Sequence, residues 1–412
     1  MKTQNSKQEI LNSIQEVTEK LTTRAALTRK LRDGRLILLR GKNRNVAIGK
    51  GALLKVNTSI GVSDRNGLRA ELKKLDLLAS VGYRPDTMMD LSMIRLDKPL
   101  YTFAIDKFGG PVGTLPHYLC YNDRKGIDAS ELLAEIERQS EAGISFMTLH
   151  TTARKYLYEK AKTTRLIPVV SRGGQITIND MYINNRDESI ISLYFDEILR
   201  ILRRHDVVVS IGTTFRPGAT NDALDGVQLE EIELQGDYIK ASQHAGVAVM
   251  MEGIGHASLD KVAEYVVTVK RNYDVPVMPL GPIPTDAAIG QDHISSAIGA
   301  TYMALLNGAD IINSVTPEEH TGGIPDKCSI MDGLKAARIA SHAVNIVRFP
   351  RLNLVDRVVS EQRGKNHTCV VDGGLFTDSV SQRISRGCSR CGEKCPLLLS
   401  YSLDEQGVLF PK

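Results

Sequence analysis

From about residue 52 onward, short runs of apolar and β-branched residues alternate with longer stretches in which apolar residues recur at helical spacing. Residues 128–143 show the helical pattern clearly: Asp128 begins the stretch, Glu131 follows three residues later as in a capping box, and Gly143 ends it. The apolar runs number eight and lie at residues 53–60, 87–93, 111–118, 144–151, 207–214, 247–253, 275–281 and 309–315. Strands that alternate with helices in this way predict a parallel sheet covered by helices.

The number of strand–helix units favours one α/β architecture, the (β/α)8 TIM barrel. The units occupy roughly 270 residues, and such barrels typically span about 250 residues. An open, doubly wound sheet is the alternative, but no G-x-G-x-x-G sequence follows the first apolar run. We therefore expect a barrel.

The regions on either side of these units have different patterns. Ile10, Ile14, Val17 and Leu21 lie at helical spacing and predict an amphipathic helix near the start of the chain. After about residue 350 the alternation stops, and a polar, irregular stretch leads to a cluster of cysteines. We expect an N-terminal helical segment at residues 1–50, a barrel at residues 51–350 and a small C-terminal segment at residues 351–412.

Composition and charge exclude several classes of protein. The 52 basic and 48 acidic residues of this 412-residue chain are interspersed and leave a net charge of only +4, so neither nucleic acid nor an anionic membrane is expected as a partner. No apolar stretch approaches the ~18 residues of a membrane span, and the polar N-terminus does not resemble a secretory signal. Six cysteines, three of them close together, are typical of metal chemistry in a reducing compartment. A cytoplasmic location is therefore expected.

Polar side chains follow most of the predicted strands, where barrel enzymes place their active sites. One such residue is usually a turn former or a helix cap, but together they are more than loop capping needs. His256 and His320 are candidate metal ligands, although two isolated histidines are a weak signal. Arg172 and Arg216 suit a phosphate, and pairing with local carboxylates is an equally good interpretation. The residues that follow the apolar runs are Asn57, Ser59, Met89, Asp90, His117, Tyr118, His150, Thr213, Thr214, Arg216, Glu252, Gly253, His256, Met278 and His320. Ser171, Arg172, Gly173 and Gly174 lie between the fourth and fifth runs.

Three cysteines near the end of the chain form the strongest local motif. Cys388, Cys391 and Cys395 have the spacing C-x2-C-x3-C, which lets their thiolates bind one metal ion or cluster. A structural zinc would need a fourth ligand, which Cys369 or His367 would supply. A [4Fe–4S] cluster on three cysteines instead leaves one iron open to S-adenosylmethionine. The spacing alone does not separate zinc from iron–sulfur, and it makes a disulfide the least favoured reading.

Ten motifs follow one another over about 350 residues: IGKGALLKVNTSIG, DTMMDLS, VGTLPHY, ISFMTLH, VVSRGG, FRPG, VMMEGIGH, LGPIPTDAAIGQDHISSAIGA, VTPEEHTGGIP and CSRCGEKC. Together they resemble the ThiC family of radical S-adenosylmethionine enzymes, which rearrange 5-aminoimidazole ribotide. The resemblance implies a (β/α)8 barrel and a homodimer in which the cluster-bearing segment covers the barrel mouth between subunits. It also implies reductive cleavage of S-adenosylmethionine by a cluster.

Position within these motifs implies a role for each matching residue. Cys388, Cys391 and Cys395 would hold the [4Fe–4S] cluster, with S-adenosylmethionine on its open iron, while His256 and His320 would bind a divalent metal, usually zinc. The residues that would line the ribotide site are Met89, Tyr118, His150, Ser171, Arg172, Gly173, Arg216 and Glu252.

Three positions of the implied ribotide site differ from the family's pyrimidine synthases. Ser59 stands where those enzymes have asparagine, Thr213 replaces an aspartate and Met278 replaces a tyrosine. Buried polar contacts contribute about 1–3 kcal/mol each, so these changes alter what the pocket holds.

The family has a second activity, the conversion of the same ribotide to 5-hydroxybenzimidazole for the lower ligand of cobamides, by one protein or by two related proteins. The altered pocket favours this activity here. Phosphomethylpyrimidine synthesis for thiamine is the alternative, and an auxiliary, non-catalytic subunit is a third reading.

Overall fold

A computed structural model describes residues 33–371, 374–376 and 390–399. A boundary between Val344 and Asn345 separates two compact units. The helix predicted around Ile10 to Leu21 lies outside the described residues, as does Cys388. Among the residues described, no helix is both long and apolar enough to cross a membrane.

The larger unit contains an eight-stranded parallel sheet, which confirms the predicted fold class. Each of the eight apolar runs contains one strand, because strands buried on both faces consist mainly of apolar residues. In chain order the strands are β1 (Leu36–Leu39), β2 (Val46–Gly49), β3 (Lys55–Ile60), β4 (Thr87–Asp90), β5 (Val112–Thr114), β6 (Phe146–Leu149), β7 (Val208–Ile211), β8 (Val249–His256), β9 (Val277–Ile283) and β10 (Ile311–Asn313).

The sheet closes into a barrel. Parallel pairing runs in the order β10, β3, β4, β5, β6, β7, β8, β9. The amide of Asp310 donates to the carbonyl of Val277 at 2.9 Å, which joins the two ends of the sheet. All eight carboxyl ends therefore meet at one mouth.

Strands β1 and β2 form an antiparallel hairpin in the described part of the predicted N-terminal segment. The sequence pattern did not predict this hairpin, because four-residue strands are too short to establish a period.

Helices connect the strands of the barrel. The predicted cap is confirmed, because the side chain of Asp128 accepts a hydrogen bond from the amide of Glu131 at 3.0 Å, and Gly143 takes a positive φ of 92° just beyond the helix. In chain order the α-helices of the described residues are α1 (Leu68–Ser80), α2 (Leu100–Phe108), α3 (His117–Cys120), α4 (Ala129–Glu141), α5 (Lys155–Thr164), α6 (Arg172–Ile183), α7 (Ile190–Leu193), α8 (Phe195–His205), α9 (Gly226–His244), α10 (Leu259–Asn272), α11 (Asp292–Leu305), α12 (Lys327–Arg348) and α13 (Leu354–Lys365).

The barrel interior is polar where β10, β3 and β4 meet. The amide of Asn57 donates to Asn313 Oδ1 at 2.7 Å, and Thr87 Oγ1 donates to Asn57 Oδ1 at 2.8 Å. Side chains two residues apart on a strand share a face, so Ser59 points to the same side as Asn57. Ser59 is also paired in register with Met89 on β4. The sheet thus places both predicted site residues in the interior, towards the mouth.

A largely buried ion pair lies at the opposite, amino-terminal end of the barrel. Asp86 accepts hydrogen bonds from the amide of Val56 at 2.9 Å and from Arg338 Nη1 at 2.7 Å. Burial alone would raise the pKa of Asp86, but Arg338 and Lys55 hold that pKa below its ordinary value. This pair lies far along the strands from the mouth.

Candidate active site

The N-terminus of α6 forms one wall of the barrel mouth. Ser171 caps this helix, and its Oγ accepts a hydrogen bond from the amide of Gly174 at 3.1 Å. The same Oγ is bonded to Nε2 of His150, just beyond β6, at 2.9 Å. Arg172 is the first residue of the helix, and its side chain is exposed. A helix N-terminus with an adjacent guanidinium is suited to a phosphate.

Gly173 is required by the packing behind this wall. A Cβ atom at Gly173 would lie 2.4 Å from Cε1 of His150 and 2.9 Å from Nε2 of His117. No real Cβ makes such contacts, so a larger residue would push the SRGG turn away from the two imidazoles. The glycine therefore lets the SRGG turn lie directly against His150.

His117 and His150 are neighbouring buried imidazoles, with ring centroids 5.2 Å apart. Among the described residues, no group makes a regular hydrogen bond to either ring nitrogen of His117. The nearby backbone of Gly173 opposes the lowering of the His117 pKa by burial. Burial lowers the pKa of His117 to about 3. Burial, with His117 and Arg216 adding to it, also lowers the pKa of His150 well below its ordinary value. Both rings are therefore neutral near pH 7.

Arg216 lies beyond β7 and is the main positive charge inside the mouth. Its Nη1 donates to the carbonyl of Thr213 at 3.4 Å. Burial raises the pKa of Tyr118 to about 12, and the positive charges of Arg172 and Arg216 oppose that rise. Both guanidinium groups thus lie near one phenol, and the structure brings together these predicted phosphate ligands.

Glu252, on β8, is the buried acid of the mouth. It accepts hydrogen bonds from Thr148 Oγ1 and from the amide of Thr213, both at 3.3 Å. Burial raises the pKa of Glu252, although Arg216 opposes that rise. Register pairs Met278, which is fully buried, with Glu252. A thioether in place of a phenol therefore leaves this acid with a less polar neighbour.

His256 and His320 approach each other at the edge of the mouth. Their ring centroids are 4.7 Å apart, and Nδ1 of each ring is hydrogen-bonded to a carboxylate. His256 pairs with Asp286 at 2.6 Å, and His320 pairs with Asp292 at 2.7 Å. Such bonds fix the direction of each ring and would direct Nε2 of each imidazole towards a metal ion.

This donor set fits a divalent metal only in part. Burial lowers the pKa of His256, which favours the neutral, ligating form of its imidazole. Within the residues that the structure describes, no group of three or more histidine, cysteine or acidic side chains is arranged to hold a metal ion. The two histidines would therefore supply two ligands, and the remaining ligands would come from bound small molecules or from residues outside this set.

The cysteine motif is only partly within the described residues. A 3-10 turn at Gly392–Lys394 separates Cys391 from Cys395, and the amide of Cys395 donates to the carbonyl of Gly392 at 3.2 Å. Gly392 has a φ of +52°, which favours glycine. Cys391 is exposed and Cys395 is buried, and both are free thiols. They fit two ligands of an iron–sulfur cluster, whose third predicted ligand is Cys388.

Sequence reasoning left some residues of the mouth without a role. His117 was recognised only as one polar residue among several, whereas the structure packs it against His150 and Tyr118. Asp286 and Asp292 were not predicted at all. Their signal was present in the segment after β9, since Asp286 lies in the loop that follows this strand and Asp292 begins α11.

Comparison with known proteins identifies relatives over nearly the whole chain. Residues 2–401 match the Radical SAM ThiC family. A phosphomethylpyrimidine synthase of Ignicoccus hospitalis is 36% identical over 398 residues, which cover 90% of this chain and 89% of that protein. A 5-hydroxybenzimidazole synthase BzaA of Moorella thermoacetica is 33% identical over 388 residues, 89% of each chain. A second BzaA, of Eubacterium limosum, is 34% identical over 354 residues, 82% of each chain.

Proposed function

The chain belongs to the Radical SAM ThiC family, and on that premise we propose that it converts 5-aminoimidazole ribotide to 5-hydroxybenzimidazole. The observation that supports this product is the set of altered pocket residues, Ser59, Thr213 and Met278. Two of the similar proteins are named 5-hydroxybenzimidazole synthase. The family implies S-adenosylmethionine and an iron–sulfur cluster as cofactors.

The phosphate of the ribotide would bind between the N-terminus of α6 and Arg216. Arg172 and Arg216 would donate hydrogen bonds to phosphate oxygens, and the dipole of α6 would favour the negative charge at its N-terminus. Tyr118 is close enough to both guanidinium groups to sense their charge, and it would donate its phenolic hydrogen to the same phosphate. This end of the pocket fixes the ribotide without taking part in the bond changes.

The aminoimidazole would lie deeper in the barrel, beside His150 and Glu252. His150 is uncharged near pH 7, and its buried Nδ1 has no hydrogen-bond partner among the residues that the structure describes. Burial raises the pKa of Glu252, which favours a carboxyl group that can share a proton with a ring nitrogen or an amine. A neutral imidazole at this end of the pocket avoids placing a fixed positive charge beside the carbon atoms that are rearranged.

The cysteine segment and the histidine pair would hold the inorganic cofactors. A [4Fe–4S] cluster on Cys388, Cys391 and Cys395 would supply the electron that cleaves S-adenosylmethionine and so start the radical chemistry. His256 and His320, held by Asp286 and Asp292, would orient a divalent metal, with zinc as the proposed ion. A homodimer, alone or with a related second protein, is the proposed assembly.

Phosphomethylpyrimidine synthesis is the second candidate function. It is favoured by the 36% identity to the synthase of Ignicoccus hospitalis, which is no lower than the identity to either BzaA protein. Overall sequence identity therefore does not distinguish the two products, and the proposal for one of them depends on the pocket residues.

The products can be separated in one anaerobic experiment. Reconstituted protein is supplied with 5-aminoimidazole ribotide, S-adenosylmethionine and dithionite, and the products are identified by fluorescence and mass spectrometry. We expect 5-hydroxybenzimidazole. Hydroxymethylpyrimidine phosphate would refute the proposed product. Deoxyadenosine formation only when a related protein is added would show a paired enzyme, and no turnover in either case would indicate an auxiliary subunit.

A matched variant tests the role of the three pocket residues. The triple change Ser59→Asn, Thr213→Asp and Met278→Tyr restores the residues usual in the pyrimidine synthases. We expect less benzimidazole per deoxyadenosine formed, because the restored polar groups hold the ribotide differently. An unchanged product ratio would mean that these positions do not decide the product.

A further inference from the structure

A second set of residues lies behind Arg216 and contacts its neighbour in the chain, Phe215. The amide of Phe215 donates to both carboxylate oxygens of Glu231 on α9, each at 3.0 Å, and the amide of Thr214 donates to the same group at 2.6 Å. Thr152 Oγ1 donates to Glu231 at 2.6 Å. This carboxylate, which is almost entirely buried, thus binds the backbone directly before Arg216.

The other side of Phe215 is held by an arginine. Nη1 of Arg165 donates to the carbonyl of Phe215 at 2.7 Å. The remaining nitrogens of Arg165 form a two-pronged bond to Asp225, at 2.7 and 2.8 Å, and the side chain is fully buried. A guanidinium fixed in this way cannot turn away from Phe215.

The phenyl ring completes the attachment. Phe215 is fully buried in a small core with Leu157, Met181 and Val227, apart from the main core of the barrel. The amide, the carbonyl and the side chain of Phe215 are therefore each held by a different part of the protein, while Arg216 projects into the mouth.

We propose that Glu231 and Arg165 are positioning residues that fix the direction of Arg216 by holding the backbone of Phe215 from both sides. Neither residue would touch the substrate. Without the hydrogen bonds that Glu231 accepts from the two amides, the loop could move and the guanidinium of Arg216 could turn out of the mouth. Its donors would then no longer be aligned with a bound anion. This inference rests on the proposed function, since it assigns a phosphate to Arg216.

The test is a double-mutant cycle on anion binding, measured by calorimetry with inorganic phosphate and with 5-aminoimidazole ribotide. Glu231→Gln keeps the size of the side chain but turns an amide group towards the backbone donors. We expect it to weaken binding about tenfold, the equivalent of one lost polar contact, in the wild-type background. In the Arg216→Ala background the same change should have no effect, because it acts only through Arg216.

Two further variants separate positioning from simple loss of stability. Asp86→Asn is the control: it removes a largely buried carboxylate that, like Glu231, accepts a hydrogen bond from a backbone amide, but at the other end of the barrel. It should lower the melting temperature without weakening anion binding. Arg165→Lys keeps the charge but loses the two-pronged bond to Asp225, and should reproduce the effect of Glu231→Gln.

Hydrogen exchange at the amides of Thr214 and Phe215 tests the inference independently of any ligand. Faster exchange at these amides in Glu231→Gln, together with a shifted NMR signal of Arg216 Nε, is expected. Unchanged exchange, or an equal loss of binding with and without Arg216, would overturn the inference. If the wild-type protein binds neither phosphate nor ribotide, the proposed function fails, and exchange together with the Arg216 signal then decides the positioning role.

Discussion

At the scale of single residues, the barrel mouth combines neutral and charged side chains. The sequence alone does not reveal which of its titratable groups are neutral. His150 and His117 are buried and neutral, whereas Arg172 and Arg216 carry the positive charge. The difference follows from burial, because moving an imidazole out of water disfavours its charged form, while a guanidinium remains protonated. One end of the pocket is therefore suited to an anion and the other to an uncharged ring.

Burial of His117 predicts a pH dependence of stability. Its pKa is about 3 in the folded protein and near 6.5 when exposed, so between these values only the unfolded chain takes up the proton. The contribution of the neutral ring is complete above about pH 6.5 and is lost as the pH falls towards 3. The unfolding free energy, measured by chemical denaturation, should decrease between pH 7 and pH 5. This decrease should be smaller in His117→Phe than in wild type, by up to about 1.4 kcal/mol per pH unit.

The control for this measurement is His244→Gln, which removes an exposed histidine on α9. It should leave the wild-type pH dependence unchanged. If His117→Phe shows the same slope as His244→Gln, the buried imidazole does not take part in the linkage.

The carboxylates behind the histidine pair predict an effect on metal affinity. Asp286→Asn or Asp292→Asn weakens the bond that fixes His256 or His320 and lowers the basicity of the ring. Cobalt(II) titration of cluster-free protein, followed by visible absorption, should show binding about 10- to 100-fold weaker. Asp260→Asn, at an exposed position of α10, is the control, and equal affinities in all three variants would disprove this positioning role.

At the scale of elements, α6 serves the site through its N-terminus. The helix has twelve residues, so its dipole is well developed, and Ser171 both caps it and binds His150. Helix α4 begins with a cap of the same kind, Asp128, which lies on the exposed surface. The two caps therefore offer a comparison in which the local structure is similar but only one cap belongs to the mouth.

We expect removal of either cap to lower stability by a similar amount, but to affect ribotide binding differently. Ser171→Ala and Asp128→Ala should each lower the unfolding free energy by about 1 kcal/mol, measured by denaturant titration. Only Ser171→Ala should weaken ribotide binding, because it also releases His150 and the first turn of α6. Equal binding by the two variants would show that the α6 turn does not hold the phosphate.

At the scale of the whole molecule, the proposed phosphate ligands and the cysteines belong to different compact units. The double variant Cys391→Ser/Cys395→Ser should therefore lose iron and the visible absorption of the reconstituted cluster while it keeps the ribotide affinity of wild type. Iron analysis, absorption spectra and calorimetry measure these properties. Retained iron with normal spectra would contradict the assignment of these cysteines to the cluster.

The sequence was sufficient for the features that depend on local pattern. Eight apolar runs predicted eight strands, since each buried strand is marked by its own residues. The spaced cysteines indicated a metal or cluster site, and the motifs taken together indicated the family. The β1–β2 hairpin was missed because its strands are too short to show a period. The product was never fixed by local pattern, and the three altered pocket positions remain its best indicator.

Only the closed barrel decided which groups act together. His256 and Asp286 are 30 residues apart, and His320 and Asp292 are 28 apart, so no local spacing connects them. Glu231 lies on α9 and Arg165 directly follows α5, yet both bind the backbone of Phe215. The sequence determined the fold class, the family and the kind of chemistry, because these follow from hydrophobic periodicity and from motifs. Tertiary structure decided hydrogen-bond partners and protonation, because both depend on which distant side chains the closure of the sheet buries together.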